Sequence, residues 1–506
     1  VDDVRVDERC LTRHWLVRSK GRFHAETGFV LQLYWCRGAR LEEAEGMMSV
    51  RALVFAAAIG VIPAGTAAKE MKTSVPADET EAVRPPTDAA DRLLVNLEDP
   101  RLRELVRDTL ERNPTLATAI ATARASLHEA PQVQALPDPM VGVTAYVSSP
   151  ETRVGPQRLM ATLSQRLPWF GKRSLRERAA LHQSEALVSA VAAHRLDLVT
   201  EVRRLAYEIA FLDGYRKVVE TDRETLIHYE ELARARYASG VGVEQGVIKI
   251  QAEITKDDNR LLDIATRRAT LVATLNALRD RPQESPIPKI VLPADTTSAP
   301  PLEALRARAL EMRPELDAAE ASVARADTLV ELARSEYKPD ITVGATYGLL
   351  TGRTDLGAGL MPPADNGKDV FGISLSLNLP IKRGKLDAGL EEATGHRLAA
   401  VERKRDVTTL IDRALGELFE RLRLTGEQVR LFERVLIIQA EQSLQSAESG
   451  YAAGTLNSLD LLDAERVLLE VRTGTERARA DHAVALARLE GAIGGPLTET
   501  NEGAQP

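Results

Sequence analysis

Gly171-Lys172-Arg173-Ser174 has the residue types of a phosphate loop, in which backbone N–H groups and a lysine cradle an anion. Such a loop needs a glycine five residues before Gly171, so that the chain can wrap the phosphates, and that position is Arg166. The motif is therefore rejected, and a strand-to-helix turn accounts for Gly171. His128, His182, His194, His228, His396 and His482 are scattered, and no two have metal-ligand spacing with a third ligand nearby. The methionines do not cluster. No nucleophile, base and orienting group form a set. Carboxylates abound, but on charged helical faces, where solvation is the expected role. The chain is expected not to be an enzyme, and no metal or cofactor is expected.

Pattern carries more than side-chain chemistry does. In residues 138–172, Val141, Val143, Ala145 and Val147 alternate with Gly142, Thr144, Tyr146 and Ser148. Leu159, Ala161, Leu163 and Leu167 then alternate with Met160, Thr162, Ser164 and Arg166, with Gln165 breaking the apolar row. A period of two puts one set on each face of a strand, and the stretch between them, with two prolines and a glycine, is turn chemistry. The pattern returns in Ile341, Val343, Ala345, Tyr347 and Leu349, and again in Phe371, Ile373, Leu375, Leu377 and Leu379. Each strand is about as long as a tilted bilayer-crossing strand needs to be, roughly 9–11 residues. Two hairpins of a soluble sheet, one face in a core, is the alternative.

The chain has 506 residues, 28% of them charged and 4% aromatic, with a formal net charge of −8. That composition suits long helices and argues against a nucleic-acid partner. Residues 47–68 read as a secretory signal peptide: Arg51 is positive, 52–63 are apolar, and Gly65-Thr66-Ala67-Ala68 are small. A buried core helix is the alternative. Residues 1–46 are expected to be an upstream extension from a misassigned start. Cys10 and Cys36 both lie there, so the mature chain is expected to have no disulfide and no lipid-anchored cysteine. Residues 69–92 read as a linker.

Helical periodicity begins near Pro100, and Asn113 is placed to cap a helix started by Pro114. From Lys172 to Tyr237 there is no proline, and Leu198, Val202, Leu205, Ile209 and Leu212 form a heptad seam. Ser239-Gly240-Val241-Gly242 ends that helix, a second runs over 243–281, and 282–300 form a proline-rich connector. The second half repeats the first. Pro314 lies 200 after Pro114, Pro339 lies 202 after Pro137, Pro380 lies 212 after Pro168 and Gly454 lies 214 after Gly240. Ile411, Leu415, Leu418 and Leu422 lie 213 after Leu198, Val202, Leu205 and Ile209, which leaves a one-residue slip between seam and turn. The expected unit is helix, hairpin, very long helix, tight turn, helix, occurring at 93–281 and 301–497, with a tail at 498–506. The fold class is mainly α with a small β part. Four strands cannot close a membrane barrel, and an open edge in lipid leaves backbone groups unpaired. The chain must therefore pool strands with copies of itself in a closed ring.

On these features the chain resembles the outer-membrane channels of the TolC-like efflux family over roughly residues 93–497. The matching stretches are the hairpins, 235–241, and most specifically 450–464, Gly-Tyr-Ala-Ala-Gly-Thr-Leu-Asn-Ser-Leu-Asp-Leu-Leu-Asp-Ala. Leu-Pro-Asp-Pro and Leu-Pro-Trp-Phe-Gly-Lys look most like the metal-cation branch. The resemblance implies a homotrimer with a 12-stranded transmembrane β-barrel, four strands per chain, and an α-helical periplasmic tunnel. It implies a periplasmic adaptor, an inner-membrane pump and outer-membrane lipid as partners. It puts periplasmic-gate carboxylates on Asp460 and Asp463, with ordinary polar positions after a helix start as the alternative. Adaptor-docking tips are expected at Ser239, Gly240 and Val241 and at Ala453, Gly454 and Thr455, and an interfacial aromatic anchor at Trp169 and Phe170, for which plain packing is the alternative. Two positions depart from the family's inter-helix lock: Leu456 stands where an arginine is expected and Gly246 where an acid is expected, while Tyr451 is present. A protein-secretion channel of the same fold and a periplasmic coiled-coil scaffold without a pore are the competing readings.

Overall fold

In the computed structural model the described residues are 89–293, 299–354 and 361–497. The expected upstream extension, the signal peptide, Cys10, Cys36, the tail and the centre of the loop after residue 354 lie outside them.

Four short helices open the described chain: α1 Ala89–Val95, α2 Pro100–Arg112, α3 Pro114–Leu127 and α4 Glu129–Gln134. Helix α1 takes in the last four residues expected as linker, because Ala89, Ala90 and Leu93 bury against the core. Asp99 caps α2, and Asn113 caps α3 by accepting from Leu116 N at 2.9 Å. Strands β1 (Met140–Ala145) and β2 (Gln157–Leu167) follow. The uninterrupted helix α5, Lys172–Ala238, has 67 residues, about 100 Å at 1.5 Å per residue. It turns into α6, Glu244–Leu278.

The second repeat is α7 Leu302–Met312, α8 Pro314–Ser335, β3 Ile341–Leu350, β4 Val370–Leu377, α9 Arg383–Leu431, α10 Ile437–Ala453 and α11 Ser458–Ile493. A π turn, Phe432–Leu436, joins α9 to α10 without a break. A π turn accommodates one extra residue in an α-helix. It lies between the seam, repeated at 213, and the tip, repeated at 214, and so locates the one-residue slip left open by the sequence. Phe432 packs on Gly474 of α11, where a Cβ would come within 2.4 Å of the ring.

The two hairpins are not separate. They form one antiparallel sheet in the order β1-β2-β3-β4, joined through β2 and β3. The registers of the hairpins are equivalent: Gly142 faces Thr162 and Gly344 faces Ser374. In both places a Cβ on the glycine would lie under 3 Å from the opposing hydroxyl, at 2.7 and 2.6 Å. Register also sorts the side chains. Val141, Leu163, Ala345 and Ile373 lie in one apolar face, and Gly142, Thr162, Thr346 and Gly372 in a small and polar one. Strand β1 is shorter than expected, six residues, its pairing with β2 ending at Ala145 opposite Leu159. Tyr146 still donates to Arg158 O at 3.0 Å, and Val147 is fully exposed beyond it.

The helices bury the heptad seam as expected. Val202, Leu205, Ile209 and Leu212 are all under 5% exposed, as is Leu415 of the second seam. No helix among the described residues is long and apolar enough to cross a membrane.

Candidate functional site: the paired helix turns

The sheet and the helix turns sit at opposite ends of α5. Each turn is a left-handed glycine cap. Gly240 and Gly454 both have φ +78°, a region that side chains with a Cβ disfavour. At the first turn Gly240 N donates to Tyr237 O and Val241 N to Arg236 O, both at 3.0 Å. At the second, Gly454 N donates to Tyr451 O at 3.1 Å and Thr455 N to Gly450 O at 2.9 Å. These are two Schellman motifs, which satisfy the last carbonyls of each helix. A Cβ at Gly240 would meet nothing within 4 Å, so conformation and not space requires glycine there. Ser239 donates its hydroxyl to Arg236 O at 2.9 Å, and Val241 is exposed.

The two turns grip each other. Gly246 lets Ser458 approach to where a Cβ would be 2.4 Å from its hydroxyl. Arg236 donates to Tyr451 O, and its guanidinium lies 4.6 Å from the centre of the buried Tyr451 ring. Gly450 makes room for Leu456, whose methyl would otherwise meet a Cβ at 2.6 Å. Leu456 and Gly246 cannot form the ionic lock of the family, and within the chain Arg236, Tyr451 and close packing at Gly246 and Gly450 join the two turns. Sequence reasoning missed Arg236. It stands three residues before Ser239, and no opposite charge nearby in the sequence reveals its role.

Asp460 and Asp463 lie on the exposed side of the first turns of α11. Asp460 takes part in a capping box. Its Oδ2 accepts from Asn457 N at 3.1 Å, while Asn457 Oδ1 accepts from Leu459 N and Asp460 N at 2.7 and 3.2 Å. Asp463 is 3.5 Å from Arg466, which also pairs with Glu253 of α6.

One group of carboxylates does not fit the solvated role expected of acids. Asp222 of α5, Asp257 of α6 and Glu465 of α11 are at most 5% exposed. Asp222 lies in contact with both of the others. Burial, followed by the neighbouring carboxyl, pushes Asp222 and Asp257 up to about 7, and burial also raises Glu465. Arg260 pairs with Asp257 at 2.5 Å, Arg472 acts on Glu465 from α11 itself, and Glu448 of α10 opposes it. Among the described residues no group of His, Cys, Asp or Glu could hold a metal ion, and burial favours the protonated, neutral form of these carboxyls. Its signal was in the sequence: Asp222 falls in the stripe formed by Val219, Leu226 and Tyr229, where a heptad wants apolar residues.

At the other end, the expected anchor residues sit in the turn from β2 to α5. Trp169 and Phe170 meet edge to face at 5.9 Å, and Phe170 is exposed. Lys172, set aside as a phosphate ligand, is buried and bonds Asp340 at 2.9 Å, Glu336 at 3.2 Å and Lys338 O at 3.0 Å. Asp340 also accepts from Trp169 N at 3.1 Å and Arg166 at 2.6 Å. This knot ties the first repeat to the second.

Residues 105–279 and 305–495 match the family model for outer membrane efflux proteins, one stretch in each repeat. The chain belongs to that family. It is an outer membrane efflux channel by membership, in a family of channels and not of enzymes. It is similar to the probable efflux pump outer membrane protein SepC of Pseudomonas putida, at 26% identity over 80% of this chain and 86% of the relative. It is similar also to the cobalt-zinc-cadmium resistance protein CzcC of Cupriavidus metallidurans, at 24% over 64% of this chain and 73% of that one. The crystal structure of the outer membrane protein VceC of Vibrio cholerae shares the fold, with a TM-score of 0.65 at 22% identity, over 79% of the channel and 98% of VceC.

Proposed function

We propose that three copies of this channel form the outer-membrane exit duct of a tripartite pump, with the helix turns docked on a periplasmic adaptor that leads to an inner-membrane pump. The single observation that carries this reading is the four-stranded sheet with one apolar face and, among the described residues, two unpaired edges, mounted on a helix of about 100 Å. An apolar face suits lipid, and edges that lipid cannot satisfy demand closure by further strands. The turns lie farthest from the sheet and expose Gly240, Val241, Ala453, Gly454 and Thr455 to a partner. Trp169 and Phe170, where β2 leaves the sheet, suit the membrane–water boundary.

The cargo we favour is metal cations. The likeness to CzcC, named for cobalt, zinc and cadmium resistance, and the exposed Asp460 and Asp463 near the second turn support it. Carboxylates from three copies around a narrow opening would draw cations and repel anions. The test is deletion of the gene, with cell-associated cobalt, zinc and cadmium measured beside secreted protein. Retention of metals supports the reading. Metals unchanged with a secreted polypeptide lost would make the channel part of a protein-secretion system. Extraction without detergent would leave only a periplasmic scaffold.

A further inference from the structure

Towards the turns the chain has two arms, α5 with α6 and α10 with α11, joined by apolar packing that a polar layer interrupts. On the turn side of the layer, Leu226 and Tyr229 of α5 and Ile250 of α6 pack with Tyr451 of α10 and Leu461 of α11. On the sheet side, Leu212 and Val219 of α5 pack with Ile264 of α6. The layer between is Asp222, Asp257 and Glu465. Asp222 lies 18 residues before Gly240, about 27 Å along α5 at 1.5 Å per residue.

The layer is short of donors. Asp222 Oδ1, Asp257 Oδ2 and Glu465 Oε2 are shut away from water, and no donor of the described residues reaches them. Charged and titratable groups face the layer from all four helices, yet each is engaged elsewhere. Arg260 of α6 bonds the other oxygen of Asp257, Oδ1. Tyr229 of α5 donates its hydroxyl to Glu448 of α10 at 2.5 Å. Arg472 of α11 donates to Glu441 of α10 at 3.3 Å and attracts Glu465 only through space, while Glu448 repels it. Three ionised carboxylates here would set acceptor against acceptor, in a site where like charges repel more strongly than in water. A protonated carboxyl is a donor, so a proton is what the orphaned oxygens lack.

We propose that Asp222, Asp257 and Glu465 form a proton-held clasp between the two arms, closed while the carboxyls share protons and released when they ionise. Closed, Asp222 of the first arm is hydrogen-bonded to Glu465 of the second. Released, the two carry like charges that must be hydrated, and water reaches them by parting the apolar seam beside them. Burial, the largest cause, raises all three carboxyls, Asp222 and Asp257 to about 7. The clasp therefore contributes fully below the ordinary carboxyl range and is lost as pH rises through about 7. The turns themselves are held by Arg236 on the carbonyl and ring of Tyr451, with no carboxyl involved, so the arms part at the layer while the turns stay joined. All these groups lie in one chain, so the clasp does not depend on the ring of copies.

The experiment uses the full chain with Cys10→Ser and Cys36→Ser, purified in detergent. Ala447→Cys places one thiol in the apolar seam beside the layer. Ala480→Cys places one in a buried stretch of α11, 15 residues beyond Glu465. Each rate of labelling by a methanethiosulfonate is divided by that of the exposed Ala453→Cys at the same pH, which removes the ionisation of the thiol itself. On this scale Ala447→Cys should label about eightfold faster at pH 8 than at pH 5, from a shift of about three units reduced by solvent screening. Ala480→Cys should label equally at both. Asp222→Asn should flatten the rise at Ala447→Cys, and Glu465→Gln, which keeps the shape on the opposite arm, repeats the test. No rise at Ala447→Cys, a rise of equal size at Ala480→Cys, or a rise that survives in both variants overturns the clasp. The mass of the particle is read in the same samples. A monomer that keeps the pH response would sink the exit-duct reading alone, and a flat response in an intact trimer would sink the clasp alone.

Discussion

Replacing Asp222 by asparagine should flatten a pH dependence built into the middle of the helical pair. Asp222 and Asp257 have an ordinary value of 3.8 and are held at about 7. Between these values the folded state binds more protons than the unfolded one, so stability falls as pH rises. The contribution is fully present below 3.8 and is lost as pH passes 7. One proton shared by the cluster over a shift of about 3 units, at 1.36 kcal/mol each, sets an upper figure of about 4 kcal/mol. Screening by solvent and by Arg260 reduces it to on the order of 2 kcal/mol, about thirtyfold in a local opening equilibrium. Hydrogen exchange of the purified channel at pH 5 and pH 8, corrected for intrinsic rates, reads this in peptides around Asp222 and Glu465. Protection should fall about eightfold at the higher pH in the natural chain, because about a third of the contribution is already lost by pH 5. In Asp222→Asn it should fall far less, since the amide stays neutral and donates to Asp257. Equal protection at both pH values, or an unchanged fall in the variant, would refute the assignment of shared protons to this cluster.

Other outcomes follow from the same structure. Asp460→Asn with Asp463→Asn should reduce cation selectivity and block by multivalent cations in single-channel recordings while the trimer persists, because an amide at 460 still caps α11. Asp460→Ala should in addition loosen the start of α11 by about 1 kcal/mol, visible as faster exchange at Leu459 to Leu462. Gly240→Val with Gly454→Val forces a Cβ into the left-handed region at a cost of about 1–2 kcal/mol each. Cross-linking to the adaptor and efflux should be lost with the trimer intact. Gly474→Leu drives into Phe432 and should lower the heat stability of the channel by about 1–3 kcal/mol, measured by trimer dissociation on heating.

Periodicity made most of the fold legible. Alternation at Val141 to Val147 and at Ile341 to Leu349 marked strands, and the seam from Leu198 to Leu212 marked α5. Pairing of β2 with β3 was not legible, because no local pattern joins residues some two hundred apart. The glycines of the turns could be seen, since only the left-handed cap gives Gly240 and Gly454 a reason to recur. Arg236 could not, because its partners are a carbonyl and an aromatic face instead of an opposite charge. Lys172 was dismissed correctly as a phosphate ligand, yet its place in a buried ion-pair knot depends on Asp340, which lies in the other repeat. Asp222 was hidden by a change of phase: the seam stepped past Leu212 lands on Arg216, Val219, Arg223 and Leu226, one residue away from the acid.

The π turn gives the two arms of the channel unequal compliance. α5 is one regular rod from sheet to tip, with each rung bonded four residues back. Its counterpart carries a wider, softer step at Phe432–Leu436. Without that step the extra residue would rotate everything beyond it by about 100°, and α10 would present the wrong side to α11. Phase is therefore kept at the expense of stiffness. A lateral load on the turns should bend the second arm at this place, where Phe432 packs on Gly474, while the first arm moves as a lever. In the proposed ring of three such chains, stiff and compliant staves would alternate, and the tunnel would flex as a threefold object although its staves number six pairs.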